Sequence, residues 1–244
     1  MTALETRYLA DLRIAEVTRA LRALSSAYVE RRGHVIHRAL DTAGKRAAFA
    51  LFYSPLHFLT TERIVRSVKA HIPQPQLVLD IGCGTGAAGA AWAVAANGAR
   101  VLGIDRHPWA VAEARWTYRQ LDLGAHARRG DVTRPSTVRP GTAIVAAHVL
   151  NELAPAAREH LEDWLVDAAE RGTRVLVIEP IARRLTPWWP STESRLRSVA
   201  GARVDEWRFR VDLPPLLHLL DRSAAMNHSE LTARSIYCPG TLRA

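Results

Sequence analysis

One segment of this 244-residue sequence says most about its fold, and it reads Val78-Leu79-Asp80-Ile81-Gly82-Cys83-Gly84-Thr85-Gly86. Its apolar first half is typical of a buried β-strand. Its glycines let the backbone turn sharply and approach a ligand where a Cβ would clash. An alanine-rich run follows and predicts a helix. The segment therefore predicts a strand, a tight turn and a helix, as found at the ligand-binding edge of an α/β sheet.

Strands and helices alternate after this point. Strands are predicted over 77–80, 100–105, 143–150 and 174–179, with a further one ending before Gly130, and helices over 86–96, 109–121 and 155–171. Two late strands, 206–211 and 230–238, flank a helix over 213–221 and are expected to form an antiparallel pair. The pattern predicts an α/β fold with a doubly wound, mostly parallel, seven-stranded sheet.

The first 72 residues differ, because their apolar residues recur at helical spacing. A helix is predicted over 3–32, with Ile14, Val17, Leu21, Leu24 and Tyr28 on one stripe. Two more helices are predicted over 45–53 and 56–71, separated at Ser54-Pro55 because proline disrupts a helix interior. We therefore predict an N-terminal helical cap, 1–72, and a second domain, 73–244.

The charge of the chain is strongly positive. Lys and Arg number 33 and Asp and Glu 24, which gives +9, and residues 1–72 hold 12 basic and 6 acidic side chains. A basic N-terminal third favours a polyanionic partner, and a solvated face in an arginine-rich protein is the alternative. The candidate phosphate contacts are Arg13, Arg19, Arg22, Arg31, Arg32, Arg38, Lys45 and Arg46.

Composition excludes several classes of protein. Hydrophobic residues make up 48% and charged residues 23%, which is ordinary for a globular chain. The two cysteines, Cys83 and Cys238, cannot form a four-cysteine metal site, and no metal is expected. The N-terminus mixes charged with apolar residues, and the uncharged stretch 81–99 is too weakly apolar for a membrane span. We expect a cytoplasmic monomer that has no contact with membranes.

Two cofactors compete for the glycine motif. Gly84, Gly86 and Gly89 satisfy G-x-G-x-x-G, which by itself fits a dinucleotide. Asp80 argues against this, because a carboxylate two residues before the first glycine would repel a pyrophosphate. The same carboxylate suits the ammonium group of a methionine moiety. The motif therefore favours S-adenosylmethionine.

The expected cofactor contacts follow the strand ends. Asp105 ends the second strand, where a carboxylate can accept both ribose hydroxyls, and Asp131 can accept from the adenine amino group. Cys83 is interpreted as a small buried residue rather than a nucleophile. The predicted cofactor-binding residues are Asp80, Gly82, Cys83, Gly84, Thr85, Gly86, Asp105, Arg106, Asp131, Val132 and His148.

The fourth strand is followed by the candidate catalytic residues His148, Asn151 and Glu152. Ligands in an open α/β sheet sit beyond the carboxyl ends of the strands, which places these residues near the reacting centre. His148 can act as a general base or form a wall of the cofactor site. Glu152 is expected to orient the loop rather than abstract a proton.

A segment rich in arginine and tryptophan follows the fifth strand. It contains Arg183, Arg184, Trp188 and Trp189. Such residues can stack on bases and hold phosphates. The competing interpretation is an amphipathic lid packed over the sheet edge, and the sequence favours the lid.

The region 77–179 resembles class I S-adenosylmethionine-dependent methyltransferases with a Rossmann-like fold. A narrower similarity is to the mitochondrial small-ribosomal-subunit methyltransferase-like family and its bacterial relatives. It is carried by 24–28, 50–58, 148–153 with Arg158, and 177–180. Longer relatives carry a cysteine cluster for an iron–sulfur centre, which this chain lacks. Ribosomal RNA methyltransferases of the aminoglycoside-resistance kind share the layout, but their motifs match less well.

The resemblance implies methyl transfer to RNA. It implies small-subunit ribosomal RNA or an assembling subunit as the partner. Methyl transfer is an in-line displacement that depends mainly on positioning, so a dedicated catalytic residue is not required. Two alternatives remain open, a small-molecule methyltransferase and a non-catalytic ribosome assembly factor that binds the cofactor.

Overall fold

The structure is a computed structural model that describes residues 1–30, 40–134, 137–184 and 186–240, with the side chains of 27–30 excepted. The chain forms two compact units. The first comprises Met1–His57 and Arg208–Leu231, and the second Phe58–Trp207 and Thr232–Ala244. These units do not coincide with the predicted domain boundary at residue 72, and that boundary stays a prediction about domains.

The described part of the chain contains the following regular elements. The helices are α1 (Thr2–Tyr8), α2 (Ile14–Glu30), α3 (Ala43–Ala48), α4 (Ser54–Ser67), α5 (Ala87–Ala95), α6 (Pro108–Gln120), α7 (Pro155–Glu170), α8 (Trp189–Arg197) and α9 (Pro215–Ser223). The strands are β1 (Leu77–Ile81), β2 (Arg100–Asp105), β3 (Ala125–Arg129), β4 (Thr142–Ala147), β5 (Arg174–Glu179), β6 (Arg203–Arg210) and β7 (Glu230–Cys238).

The seven strands form one sheet in the order β3-β2-β1-β4-β5-β7-β6. The first five strands in this order pair in parallel, and β7 runs antiparallel to β5. Strands β1, β4 and β5 are almost continuously apolar and buried, as expected where helices cover both faces of a sheet. The predicted fold class is confirmed, and the carboxyl ends of the parallel strands form one ligand-binding edge.

The fourth strand is shorter than predicted. It ends at Ala147 rather than at residue 150, because His148 has a positive φ of 59°. A left-handed residue cannot continue a β-ladder. The backbone N–H of His148 still donates to the carbonyl of Ile178 at 2.8 Å, so the turn that follows remains tied to β5.

The first predicted helix is interrupted. It is observed as α1 and α2, because Arg13 begins a new helix by donating its backbone N–H to the Glu16 carboxylate at 2.8 Å. This is one half of a capping box, a signal that apolar periodicity alone does not show. The apolar stripe itself is confirmed at Val17, Leu21 and Leu24, which are buried.

The predicted break at Ser54-Pro55 is wrong. A π-helical turn over Phe49–Tyr53 joins α3 to α4 without interruption. Pro55 stands in the first turn of α4, where a missing N–H costs little, because the wider turn before it absorbs the change in hydrogen bonding. Within the described ranges, no helix is long and apolar enough to cross a membrane.

Candidate active site

A cleft lies at the carboxyl edge of the sheet, where β1, β2, β3 and β4 end. Its lining includes six of the predicted site residues, Gly82, Asp105, Arg106, Asp131, Val132 and Glu152. It also includes four residues outside that set, Gly130, Thr133, Val149 and Leu153. Residues that are distant in sequence meet here because the parallel strands end at one edge.

The glycines of the first turn have different surroundings. Gly82 and Gly84 have φ values of +67° and +51°, a region that favours glycine. A Cβ on Gly82 would lie 2.2 Å from Cγ2 of Val149, whereas a Cβ on Gly84 would have nothing within 4 Å. Gly82 therefore allows close packing inside the protein, and Gly84 leaves open space beside the turn.

Asp80 lies beneath this turn and is not among the residues that line the cleft. It is 1% exposed, and its Oδ2 accepts a hydrogen bond of 2.8 Å from the backbone N–H of Gly89. Burial raises the pKa of Asp80 to about 7. Asp80 thus anchors α5 to β1, and its contact with a methionine ammonium stays a prediction.

Asp105 joins the first turn to the second strand. Its Oδ2 accepts from the backbone N–H of Gly84 at 2.9 Å, and its Oδ1 accepts from that of His107 at 2.8 Å. Each carboxylate oxygen has a further lone pair available. Because Asp105 also lines the cleft, it can accept from ribose hydroxyls as predicted while it holds the glycine turn in place.

Asp131 is exposed at the far end of the cleft. Its Oδ1 accepts from the backbone N–H and the hydroxyl of Thr133, at 3.0 and 2.8 Å. These hydrogen bonds lower the pKa of Asp131, and the positive charges of Arg134 and Arg106 lower it further. The carboxylate is therefore ionised and oriented, as a contact to an adenine amino group requires.

Three other predicted residues, Cys83, Thr85 and Gly86, are buried within the turn. Burial and the charges of Asp80 and Asp105 raise the pKa of the Cys83 thiol well above its usual value. A thiol of this kind is a poor nucleophile. The interpretation of Cys83 as a small buried residue is confirmed.

The turn after β4 carries the three predicted catalytic residues, and a residue from the next strand holds it. Oε1 of Glu179, at the end of β5, accepts from the backbone N–H groups of Leu150 and Asn151 at 2.9 and 3.3 Å. Glu179 is fully buried and its Oε2 has no partner. This role of Glu179 was not predicted, although an acidic residue at the end of an apolar strand is a signal present in the sequence.

His148 and Glu152 differ in their capacity to move a proton. Burial lowers the pKa of His148 to about 4, so its imidazole is neutral and a weak base, which favours the wall interpretation. Burial raises the pKa of Glu152 to about 8, with the Asp105 charge adding to the rise and Arg106 opposing it. Glu152 therefore exchanges a proton near physiological pH, the range that suits a general base.

The tryptophans after β5 are packed against arginines of the protein itself. Trp189 is 3% exposed and lies under the guanidinium of Arg234, at 4.5 Å from the ring centroid. Trp188 lies under Arg158 at 4.7 Å. Trp189 is therefore not available to stack on a base, and the packing agrees with the lid interpretation.

The cleft fits S-adenosylmethionine by the chemistry of its donors and acceptors. The carboxylates of Asp131 and Asp105 line the cleft and are the predicted acceptors for the adenine amino group and the ribose. The open space beside Gly84 is a cradle that a side chain would fill. In the chain as far as it is described, no group of three His, Cys, Asp or Glu side chains could hold a metal ion.

Residues 78–171 match the family model described as a methyltransferase domain. The match covers less than half of the chain and supports a class I methyltransferase domain for this segment. The matched segment runs from β1 through α7 and contains all the residues that line the cleft. No curated protein sequence matches the chain.

Solved structures show the same fold at low sequence identity. A candidate O-methyltransferase of Nostoc punctiforme is 18% identical with a TM-score of 0.54, over 91% of this chain and 69% of that one. The N-methyltransferase NodS of Bradyrhizobium japonicum, solved with S-adenosyl-L-homocysteine, is 15% identical with a TM-score of 0.52, over 89% and 96%.

A longer neighbour is the tRNA (uracil-54, C5)-methyltransferase of Pyrococcus abyssi. It is 17% identical with a TM-score of 0.46, over 73% of this chain and 37% of that one, so this chain spans little more than a third of its length. The comparisons support the methyltransferase class. They do not support the narrower resemblance to the mitochondrial ribosomal family.

Proposed function

We propose that this methyltransferase acts on RNA, with small-subunit ribosomal RNA or an assembling subunit as the first candidate. The observation that carries the proposal is the basic surface beside the cofactor cleft. Arg106 lines the cleft and is exposed, and Arg128, Arg129 and Arg134 are exposed on β3 and just after it. Arginine presents a planar fork that binds phosphate well. A ribosomal RNA acceptor implies a cytoplasmic location for the protein, because ribosomal RNA is available there.

The position of these arginines suits a polyanionic acceptor. Strand β3 is the outer strand of the sheet, and Arg128 and Arg129 are exposed on its two opposite faces. A charged edge also protects a sheet against edge-to-edge pairing, which is the competing explanation. Measured RNA affinity separates the two, because protection of an edge requires no ligand.

The arginines of the N-terminal region are weaker candidates for phosphate contacts than the sequence indicated. Lys45 pairs with Asp41 at 3.0 Å, Arg46 donates to the Leu40 carbonyl at 2.7 Å, and Arg22 donates to the Ser223 carbonyl. Arg13 and Arg19 are exposed. The remaining three predicted contacts, Arg31, Arg32 and Arg38, lie outside the described residues.

When bound, S-adenosylmethionine supplies a methyl group attached to a sulfonium. This methyl group is transferred to the acceptor by in-line displacement. The residues of the chain contribute position and proton handling. Asp105 and Asp131 orient the adenosyl end, and Glu179 holds the turn that carries Asn151 and Glu152. If the accepting atom loses a proton, Glu152 is the cleft carboxyl best suited to take it, because burial raises its pKa to about 8.

A small-molecule acceptor is the second candidate. The observation that favours it is a separate cavity of about 520 Å³, lined by residues of α8, β6 and β7 and by the segment after β5. A volume of this size is within the range of small-molecule sites, about 300–1,000 Å³.

Transfer of a tritiated methyl group tests both candidates at once. The full chain is incubated with labelled cofactor and total cell extract, and the RNA, protein and small-molecule fractions are counted. Label in RNA supports the proposal, and label in the small-molecule fraction alone replaces it with the second candidate. Retained cofactor without transfer to any fraction, including assembling subunits, supports the assembly-factor alternative.

The salt dependence of RNA affinity tests the basic surface directly. We expect simultaneous change of Arg128, Arg129 and Arg134 to Ala to flatten the slope of log affinity against log salt by up to about two or three units. The matched control changes Arg66, Arg171 and Arg203, each held in a surface ion pair. Equal slopes for the parent and the first variant would end the assignment of this surface.

A further inference from the structure

The cavity of about 520 Å³ contains a buried guanidinium that neither candidate for the methyl acceptor explains. Arg183, Trp189 and Arg234 line it together with three acidic side chains. Arg234 is only 4% exposed, and its Nη2 is buried without a hydrogen-bond partner. An unpaired donor on a buried guanidinium is costly, because burial removes the water that would otherwise solvate it.

The guanidinium of Arg234 is held in a defined orientation. Its Nε donates to the carbonyl of Pro180 at 3.0 Å, and its plane lies over the ring of Trp189 at 4.5 Å from the centroid. Stacking on a ring and bonding through Nε fix the plane of the fork. The group is therefore organised before any ligand arrives, and Nη2 is the donor that remains to be satisfied.

Two of the three acidic residues around the cavity are hydrogen-bonded to arginines other than Arg234. Glu193 is bonded to Arg197 at 2.9 Å, and Asp205 accepts two hydrogen bonds of 2.7 Å from Arg203. Glu206 is exposed at the cavity wall and is the carboxylate that opposes an incoming anion.

Glu179 is the remaining carboxyl near Arg234, since the two residues are direct partners across β5 and β7. Burial raises the pKa of Glu179 to about 8, which keeps its carboxyl largely protonated at neutral pH. Glu179 therefore adds little negative charge beside Arg234, and Glu193 of α8 and Glu206 of β6 are the other carboxylates that act on its guanidinium.

We propose that this cavity binds an oxyanion, a phosphate or carboxylate group, through Arg234 with Arg183 as the second cation. A guanidinium held by its Nε and by an aromatic ring, with an Nη donor left unpaired at a cavity wall, is suited to recognise such groups. The cavity has room for more than the anionic group, so the ligand is a molecule of nucleotide size or smaller, or one phosphate and its neighbours in a strand. The inference does not depend on RNA being the methyl acceptor.

Calorimetric titration of the full chain tests the site, with the cofactor cleft saturated by S-adenosylhomocysteine. The probes are inorganic phosphate, phenyl phosphate, benzoate and a short single-stranded RNA. Binding of the small probes identifies a small-molecule site, and Arg234-dependent binding of the RNA alone identifies a strand phosphate. Failure of all four probes to bind at millimolar concentration overturns the proposal.

Variants separate recognition from folding. We expect Arg234→Met to weaken the binding of whichever probe binds by about 10-fold or more, the effect of losing a charge-assisted hydrogen bond. Arg183→Met should act in the same direction, and it is exposed, so the fold tolerates it. Glu206→Gln should tighten binding, which a purely structural role would not produce.

The matched control is Arg184→Met, an exposed neighbour that does not line the cavity. It should leave probe affinity unchanged, and S-adenosylhomocysteine should bind all variants equally. Parent-like probe affinity in both Arg183→Met and folded Arg234→Met would overturn the assignment.

Discussion

The cofactor cleft and the β5–β7 side of the sheet satisfy their charged groups in different ways. In the cleft, Asp131 and Asp105 accept hydrogen bonds from backbone N–H groups 2 and 21 residues away. On the other side, Glu179 accepts from a residue 29 positions away, and Arg234 donates to one 54 positions away. Both Glu179 and Arg234 keep one buried polar atom without a partner.

The difference shows which contacts a short sequence motif can predict and which contacts it cannot predict. In the cleft, acceptor and donor lie within a single strand–turn–helix unit or in the adjacent one, so spacing along the chain sets their geometry. On the β5–β7 side the partners meet only when distant strands pair. Buried polar atoms without a partner on that side indicate either a ligand that satisfies them or a site where stability is reduced in favour of function.

The largest expected effect contrasts two glycines of the same turn. We expect Gly82→Ala to lower the free energy of unfolding by about 2–5 kcal/mol, because its Cβ would collide with Val149 and the backbone is left-handed. Gly84→Ala should cost only the left-handed strain, about 1–2 kcal/mol, but should block S-adenosylhomocysteine. Urea denaturation and calorimetry measure the two effects.

The contrast would fail if both variants lost stability equally. It would also fail if Gly84→Ala bound the cofactor product as tightly as the parent. In that case the open space beside Gly84 would not face the cofactor.

The next effect concerns stability against pH on the β5 side. The folded pKa of Glu179 is about 8 and its ordinary value 4.5, so between these pH values the unfolded chain loses this proton while the folded chain keeps it. Stability contributed by the protonated carboxyl is therefore present below about pH 4.5 and is lost as pH rises towards 8. Glu179→Gln should remove this loss, which amounts to several kcal/mol because each unit of pKa difference is worth about 1.4 kcal/mol.

Urea denaturation at several pH values measures this change. The exposed Glu170→Gln serves as the control and should follow the parent. Parallel curves for the parent and Glu179→Gln would show that Glu179 is ionised in the folded protein.

A smaller effect is expected at the ribose contact in the cleft. Asp105→Ala should weaken the binding of S-adenosylhomocysteine by about 1–3 kcal/mol, because it removes an acceptor and releases the backbone N–H groups of Gly84 and His107. The choice of methyl acceptor should not change. Asp167→Ala, in an exposed surface pair, is the control, and unchanged affinity of Asp105→Ala would exclude Asp105 from the site.

The smallest effect tests proton transfer at Glu152. If its carboxylate takes a proton from the acceptor, the rate should rise with pH through about 8, and Glu152→Gln should lower the rate about 10-fold and flatten that rise. Single-turnover transfer across pH 6–9 measures both. A parent-like pH profile in Glu152→Gln would leave Glu152 with the loop-orienting role.

Prediction from the sequence was most accurate for the sheet. Strands β2, β5 and β7 have the predicted bounds, because short apolar runs between polar turns are buried on both faces. Prediction failed where the ends of elements depend on single atoms, as at Arg13, where a side chain caps the helix, and at His148, whose left-handed backbone ends β4. The predicted helix break at Pro55 failed for another reason. A π-helical turn before it relieves the disruption that proline would otherwise cause.

The candidate site divides in the same way. Six of the predicted residues line the cleft, but Asp80 is turned to Gly89 beneath it, a contact set by the close approach of α5 to β1. Glu179 and Arg234 were not predicted, because their roles depend on partners in other strands.

The sequence by itself determined the strand–turn–helix order, the glycine turn and the carboxylates at the carboxyl ends of β1 and β2, since these depend on local spacing and on burial of apolar runs. Only the tertiary structure decided which glycine faces open space, which carboxylate is buried under the turn and which arginine keeps a buried donor without a partner. These outcomes depend on contacts between strands that lie far apart in the chain, and no local pattern encodes such contacts.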